Sequence, residues 1–197
     1  MSATLVLASA STSRLSLLRG AGFDPEVVVS GVDELEVAAR GTEDIVAVLA
    51  SRKAEAVAAL RPDALVLGCD SLLEVDGEPV GKPASPTEAL QRWRTTRGRA
   101  CTLYTGHVLI DAARGARAAE VVATVVRFGT PSDDEIDAYV ATGEPMGAAG
   151  AFTLEGRSGP FIDGIEGDWS NVMGLSLPVF RRLCTTLGVG ITTLWRR

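Results

Sequence analysis

The sequence has little of what marks several special classes of protein. Its 197 residues include one histidine and three cysteines, and aromatic side chains make up 5% of the chain. Cys69, Cys101 and Cys184 are odd in number, widely separated and outside any CxxC or Cys/His cluster. This pattern argues against a disulfide framework and a zinc site, and we expect each cysteine to be a small buried hydrophobic side chain.

Long apolar runs and an excess of basic residues are also missing. No segment approaches the roughly 18 continuous apolar residues of a membrane span. The net charge of −6 repels a polyanion, which argues against sequence-independent binding of nucleic acid. The segment MSATLVLASASTSR has too short an apolar stretch for a signal peptide and no basic lead-in. We therefore expect a cytoplasmic protein that uses neither nucleic acid nor a membrane.

Familiar nucleotide motifs and domain linkers are absent too. The chain contains neither the P-loop GxxxxGK[ST] nor GxGxxG, so the usual ATPase and Rossmann interpretations fail. No Ser/Pro-rich linker, low-complexity tract or internal repeat divides it. We expect a single domain over residues 1–197, within the usual size range of about 100–200 residues.

What is present is an alternation of strand and helix patterns. Short apolar runs predict strands at 4–8, 26–30, 64–68, 101–111 and 120–128. Helical spacing and capping signals predict helices at 13–21, at 42–61 with Thr42 as N-cap, at 87–95, and after a Ser132–Glu135 capping box. A last helix has Pro178 near its first turn and runs to about Leu187. The fold class is α/β, with a mixed sheet, helices on both sides and ligands bound beyond the strand ends.

Three further segments carry local predictions. The run LLEV-DG-EPV predicts a hairpin turning at Asp76-Gly77. Residues 143–174 are rich in glycine and without periodicity, which is typical of a functional loop region. The segment ITTLW predicts a short final strand.

Polar residues follow the first predicted strand. Ser9, Ser11 and Arg14 lie at a strand-to-helix turn, where free N–H groups and the helix dipole favour an anion and Arg14 would add a bidentate phosphate contact. The alternative is that the serines only cap the helix and that Arg14 is solvated.

Acids and lysines follow at other turns. Asp70 comes directly after a buried strand, where a hard oxygen ligand suits Mg²⁺ or Mn²⁺. Lys82 follows beyond the Asp76-Gly77 turn. Glu34 has an ordinary explanation as a solvated loop acid and Lys53 as a snorkelling side chain, and Asp70 could cap a turn. Together they are the inventory of a metal-assisted phosphoryl or nucleotidyl site. For His107, packing is favoured over a role as general base.

The clusters resemble those of a known family. LASASTSRLSLL, SGVDE, LASRKAEAV, LGCDSLLEVDGEPVGKP, TLYTGHV, GAAGAFTLEG and IEGDWSNVMGL resemble, in order, segments of the Maf proteins, which are nucleoside triphosphate pyrophosphatases of the inosine-triphosphatase-like fold. The resemblance spans nearly the whole chain. It implies two lobes flanking a cleft, a homodimer, and hydrolysis of a nucleoside triphosphate to the monophosphate and pyrophosphate with a divalent metal.

The resemblance also implies roles for single residues. Ser9, Arg14, Lys53 and Lys82 would hold the triphosphate, with Ser11 beside them, while Glu34 and Asp70 would hold Mg²⁺ or Mn²⁺. Asp70 is the candidate to orient or deprotonate the attacking water.

The preferred base is less clear from the resemblance. Ser13, Ser71 and Glu155 stand where the dTTP/UTP branch has SPRR, Asp-Thr and a glutamine, and Ala148 replaces a frequent lysine. Only Glu155 agrees with the 7-methyl-GTP branch, whereas GDWSNVMGL and AGAF are closer to the dTTP/UTP branch, which we favour. Ser71 and Glu155 are the candidate substrate contacts.

Two other functions stay open. One is a nucleotide-binding regulator of cell division or septum formation without turnover. The other is a nucleotidyltransferase, which would be expected to open with a glycine-rich loop where this chain has LASASTSR.

Overall fold

The computed structural model describes residues 4–34, 37 and 41–196. Within them, one seven-stranded sheet is built from β1 (Leu5–Leu7), β2 (Glu26–Val27), β3 (Leu65–Val75), β4 (Glu78–Val80), β5 (Ala100–Asp111), β6 (Ala116–Phe128) and β7 (Ile162–Glu166). The helices are α1 (Thr12–Gly20), α2 (Thr42–Leu60), α3 (Pro86–Thr96), α4 (Asp133–Ala141), α5 (Trp169–Val172) and α6 (Leu177–Thr186). None of the described helices is long and apolar enough to cross a bilayer.

The sheet is mixed, which confirms the predicted fold class. Its strand order is β2-β1-β3-β5-β6-β7, with β4 paired to β3. β1 runs parallel to β2 and β3, whereas β3–β5, β5–β6 and β6–β7 are antiparallel. The predicted hairpin joins β3 to β4 through Asp76 and Gly77, whose φ angles of 55° and 83° are those of a tight turn with two left-handed residues.

Helix α2 covers one face of the sheet. It packs over Gly68 of β3 and Gly106 of β5, where no side chain separates helix from strand. A Cβ atom on Gly106 would lie 2.3 Å from the Val46 carbonyl oxygen. The two glycines therefore set how close the helix comes to the strands, and with it the reach of side chains on its inner face.

The opposite face carries two hydrophobic clusters. One packs α1 and α6 against the first half of the sheet, around Leu67 and Phe180. The other packs α3 and α4 against the second half, around Leu73 and Trp93. Because side chains alternate along a strand, Ser71 lies on this face between the two clusters, opposite Thr105 of β5. A polar strip therefore separates the two halves of the core.

Two predicted strands differ from the structure. The strand predicted at 26–30 is only Glu26–Val27, an exposed edge strand with one neighbour. The ITTLW strand is wrong: Ile191–Leu194 form a 3₁₀ turn in which the Thr193 amide bonds to the Gly190 carbonyl. The β-branched run favours a strand, but among the described residues only Phe23 pairs with this segment, through a single bridge at Trp195.

Two local expectations also change. Thr42 does not cap α2: Gly41 occupies the N-cap position, and the Thr42 hydroxyl donates to Glu74 of β3 at 2.7 Å. The region 143–174 is not uniformly irregular, since it contains β7 and α5. A five-residue strand with Gly164 inside it and Gly167 directly after it gives no usable period in the sequence.

Candidate active site

Lys53 bridges two carboxylates. Its Nζ lies 2.6 Å from Oε1 of Glu34 and 2.6 Å from Oδ1 of Asp70. Lys53 projects from the buried face of α2 and Asp70 from the middle of β3, and both are nearly inaccessible to solvent, whereas the Glu34 side chain is 55% exposed. We refer to Glu34, Lys53 and Asp70 as the carboxylate–lysine group. Three residues predicted for one site thus lie in direct contact.

The surroundings move the two carboxyl pKa values in opposite directions. Burial raises the pKa of Asp70, against the opposing charges of Lys53 and Arg14. Burial also acts to raise the pKa of Glu34, but the hydrogen bond and charge of Lys53, with the charges of Lys82 and Arg14, bring it below its usual value. Paired carboxyls with separated pKa values are typical of acid–base sites.

Lys82 lies just beyond the β3–β4 hairpin. The pairing of Leu73 with Val80 brings the chain back toward the level of Asp70. The preceding carbonyl, of Gly81, accepts the Gly150 amide at 3.1 Å. Lys82 is exposed, and its charge contributes to the lowered pKa of Glu34. Among the described residues it makes no direct ion pair with Asp70, so the two approach the site separately.

Arg14 is the centre of a second polar group. Its Nε donates to the Gly174 carbonyl at 2.7 Å, and its Nη1 donates to Ser9 Oγ at 3.0 Å and to the Cys69 carbonyl at 2.9 Å. Its Nη2 donates to Ser71 Oγ at 2.9 Å. Arg14 is buried, so the interpretation of it as a solvated side chain is wrong. We call Arg14 with these four acceptors the arginine hub.

The two serines of the β1–α1 turn have different partners. Ser11 is the N-cap of α1 and accepts the Arg14 amide at 3.3 Å. Ser9 Oγ accepts the Ser11 amide at 3.2 Å in addition to the guanidinium. Capping therefore accounts for Ser11, while Ser9 links the turn to the arginine hub.

Sequence reasoning missed the residues that continue the hub across the sheet. Ser71 Oγ lies 3.0 Å from Thr105 Oγ1, which donates to the Asn171 carbonyl at 3.4 Å. The Asn171 side chain is fully buried and donates from Nδ2 to Thr124 Oγ1 at 3.0 Å. Asn171 lies in IEGDWSNVMGL, three positions before Gly174, and its place in that segment is the signal that was available.

Glu155 stands apart from both groups. It is exposed on a loop held by Glu144, whose Oε1 accepts the Thr153 hydroxyl at 2.5 Å and the Arg157 amide at 2.8 Å. Within the described part of the chain, no hydrogen bond or ion pair joins Glu155 to the other predicted site residues. Its role as a substrate contact stays a prediction.

His107 is a packed core residue, as expected. It is 1% exposed, and its Nε2 accepts the Ser176 amide at 2.8 Å. Burial, with the nearby charge of Arg14, lowers its pKa to about 4. The imidazole is therefore neutral at pH 7 with its proton on Nδ1. The three cysteines are free and buried, which confirms that prediction.

Comparison with known families shows to which family the chain belongs. The family model described as Maf-like protein matches residues 4–187. The chain belongs to the Maf family. The predicted resemblance is thereby confirmed over nearly the whole sequence.

Individual relatives are similar to this chain over nearly all of their length. The nucleoside triphosphate pyrophosphatase of Streptomyces coelicolor is 59% identical over 194 residues, covering 97% of this chain and 94% of the relative. Proteins of the same name from Synechocystis and a Mycobacterium species are 49% and 47% identical, with coverage of 99% and 100% of this chain and 100% of each relative.

One solved structure is also similar. The Ham1 protein of Staphylococcus aureus matches with a TM-score of 0.43 and 19% identity, over 64% of this chain and 72% of that one.

Proposed function

We propose that this chain hydrolyses a nucleoside triphosphate to the monophosphate and pyrophosphate. Its Maf relatives carry the name nucleoside triphosphate pyrophosphatase, and the predicted enzyme class agrees with that name. The observation that carries the proposal is the carboxylate–lysine group, in which a buried ammonium contacts two carboxylates that the sequence places 36 positions apart. Such a group has the charges needed to bind phosphates and to activate water.

The phosphates are assigned to the open end of β1. Ser9 and the first turn of α1 present hydrogen-bond donors, and the α1 dipole favours negative charge there. Lys82 supplies a solvent-facing cation from the neighbouring hairpin, and Lys53 a buried one. Positive charge on both sides offsets the charge that grows on the departing pyrophosphate.

Asp70 is assigned to the attacking water. Its raised pKa makes its carboxylate a stronger base than a solvated aspartate, which suits removal of a proton from water. Attack at the α-phosphorus then breaks the bond to the β-phosphate oxygen and releases pyrophosphate.

Divalent metal is part of the proposal. Among the described residues, no group of three or more His, Cys, Asp or Glu side chains could hold a metal ion, but Mg²⁺ is commonly held by one or two carboxylates together with substrate phosphates. Glu34 and Asp70 are such a pair, since both present oxygens to the same cation, Lys53. They would hold Mg²⁺ or Mn²⁺, which when bound neutralises phosphate charge.

For the base, we propose a pyrimidine triphosphate such as dTTP or UTP. Ser71 contacts Arg14 and Thr105, which leaves it little capacity to read a base. A clear preference for 7-methyl-GTP would overturn this choice and make Glu155 the reader, because a carboxylate accepts from the guanine N1/N2 edge.

The test is a screen of common and modified nucleoside triphosphates for release of pyrophosphate, with Mg²⁺ and with Mn²⁺. We expect turnover by the parent chain and a loss of at least about 100-fold in Asp70→Asn. Asp63→Asn, which changes an exposed aspartate, is the matched control and should keep the parent rate. Absence of turnover with every triphosphate would favour the nucleotide-binding regulator instead.

Two further parts of the proposal concern the cell. We propose that the chain forms a homodimer and acts in the cytoplasm, as its family resemblance implies. Light scattering should return twice the mass of one chain, and a monomer at micromolar concentration would contradict the first part.

A further inference from the structure

The hydrogen bonds of Arg14 use nearly all of the N–H donors of its side chain. An arginine side chain has five N–H donors, and four of them are directed at Gly174, Ser9, Cys69 and Ser71. Arg14 is 8% exposed. At most one N–H therefore remains for any other group, whereas a bidentate phosphate contact needs two.

The acceptors of Arg14 come from three separate segments. Ser9 lies in the β1–α1 turn, Cys69 and Ser71 lie in β3, and Gly174 lies 160 residues away between α5 and α6. Gly174 has a φ of 92°, and a Cβ atom there would lie 3.1 Å from Arg14 Nε. The main chain is thus shaped to let its carbonyl meet the guanidinium, which is the geometry of a structural anchor.

The same contacts fix the direction of the Ser9 hydroxyl. Ser9 Oγ accepts from Arg14 Nη1 and from the Ser11 amide, and a hydroxyl oxygen has two lone pairs. Its own proton is then left to donate, and within the described residues it has no acceptor. A hydroxyl held in this way is a donor suited to a phosphate oxygen at the start of α1.

We propose that Arg14 is a positioning residue, which orients the Ser9 hydroxyl as a donor to a substrate phosphate, and does not clamp the triphosphate itself. This inference rests on the proposed function for the identity of the anion. Its content is that Arg14 acts on the substrate through Ser9, so the effects of changing the two residues must overlap.

A double-mutant cycle of Arg14→Lys and Ser9→Ala tests the overlap. Lysine keeps the charge but cannot reach four acceptors from a planar fork. The readouts are the affinity for inorganic pyrophosphate, by titration calorimetry, and kcat/KM for release of pyrophosphate. Each single change should lower both by about 10- to 100-fold, the value of a hydrogen bond to a charged group. Arg19→Lys, on the exposed side of α1, is the control and should match the parent.

The double variant decides the result. If Arg14 acts through Ser9, the pyrophosphate affinity and kcat/KM of the double variant lie within about threefold of those of the more impaired single variant. If the losses multiply, Arg14 contacts phosphate independently and the proposal is overturned. Should Arg14→Lys fail to fold, Gly174→Ala takes its place, because it displaces the guanidinium while keeping the arginine.

The affinity readout separates this inference from the proposed function. A parent chain that binds pyrophosphate but turns over no triphosphate would sink the proposed function, and the cycle in pyrophosphate affinity would still decide the role of Arg14. A parent that does not bind pyrophosphate overturns both.

Discussion

At the scale of single residues, Lys53 shows why the site is built around a buried cation. Two carboxylates within 2.6 Å of one ammonium compensate charges that would be costly to bury alone. The sequence resemblance places Lys53 and Asp70 in one set, and the structure shows them in contact. The resemblance does not indicate the acceptors of Arg14. They lie up to 160 residues away in the sequence and meet Arg14 only in the folded chain.

His107 gives a prediction for the pH dependence of stability. Its pKa in the folded chain, about 4, is below the unfolded value of about 6.5. Between these values the unfolded chain binds a proton that the folded chain does not. Protonation would also put an N–H at Nε2, facing the Ser176 amide. The free energy of unfolding therefore falls as pH drops through this window, and the effect is absent above pH 6.5.

The variant His107→Gln isolates this effect, because glutamine can accept the amide but does not titrate. Urea denaturation at pH 7.5 and 4.5 should show the parent losing about 2 kcal/mol more than the variant. Carboxylate protonation is common to both proteins and cancels in the difference. Equal losses in the two proteins would mean that His107 is not held neutral.

At the scale of elements, α2 determines where Lys53 lies relative to Asp70. The helix rests on Gly68 and Gly106, where added Cβ atoms would meet helix backbone at 2.5 Å and 2.3 Å. Backbone atoms cannot rotate away as a flexible side chain can. A methyl group at either position must therefore move the helix off the sheet, and Lys53 with it.

Gly106→Ala should accordingly impair both stability and activity. We expect the free energy of unfolding to fall by about 2 kcal/mol and kcat/KM to fall by roughly 100-fold, the cost of a displacement near 1 Å. Gly164→Ala in β7, where the nearest atom is 3.9 Å away, should change neither by much. Denaturation in urea and pyrophosphate release measure the two effects, and a stable, fully active Gly106→Ala would contradict this account of α2.

Elements differ in how well the sequence predicts them. Helix α4 begins where its Ser132–Glu135 capping box predicts, because that cap is a local interaction. The predictions of a Thr42 cap and an ITTLW strand are wrong, because contacts with distant parts of the chain determine the structure of both segments. Thr42 bonds to Glu74 of β3, and within the described ranges ITTLW pairs through a single bridge, from Phe23 to Trp195.

At the scale of the whole molecule, the site depends on segments from most of the chain. The β1–α1 turn, α2, β3 and the loop before α6 each supply a partner to one of the two polar groups. The mixed sheet and the order of the matching segments were predictable from pattern and resemblance. The polar strip around Ser71 and Asn171 was not, because it exists only when β3, β5 and β6 lie side by side.

In the proposed reaction, water attacks the α-phosphorus of a nucleoside triphosphate and pyrophosphate leaves. Turnover of UTP in ¹⁸O-labelled water, with both products weighed by mass spectrometry, tests it most directly. We expect equal amounts of UMP and pyrophosphate, with the label in UMP alone. Label in pyrophosphate would show attack at the β-phosphorus, and formation of UDP and phosphate would show a different reaction altogether, so either result would contradict it.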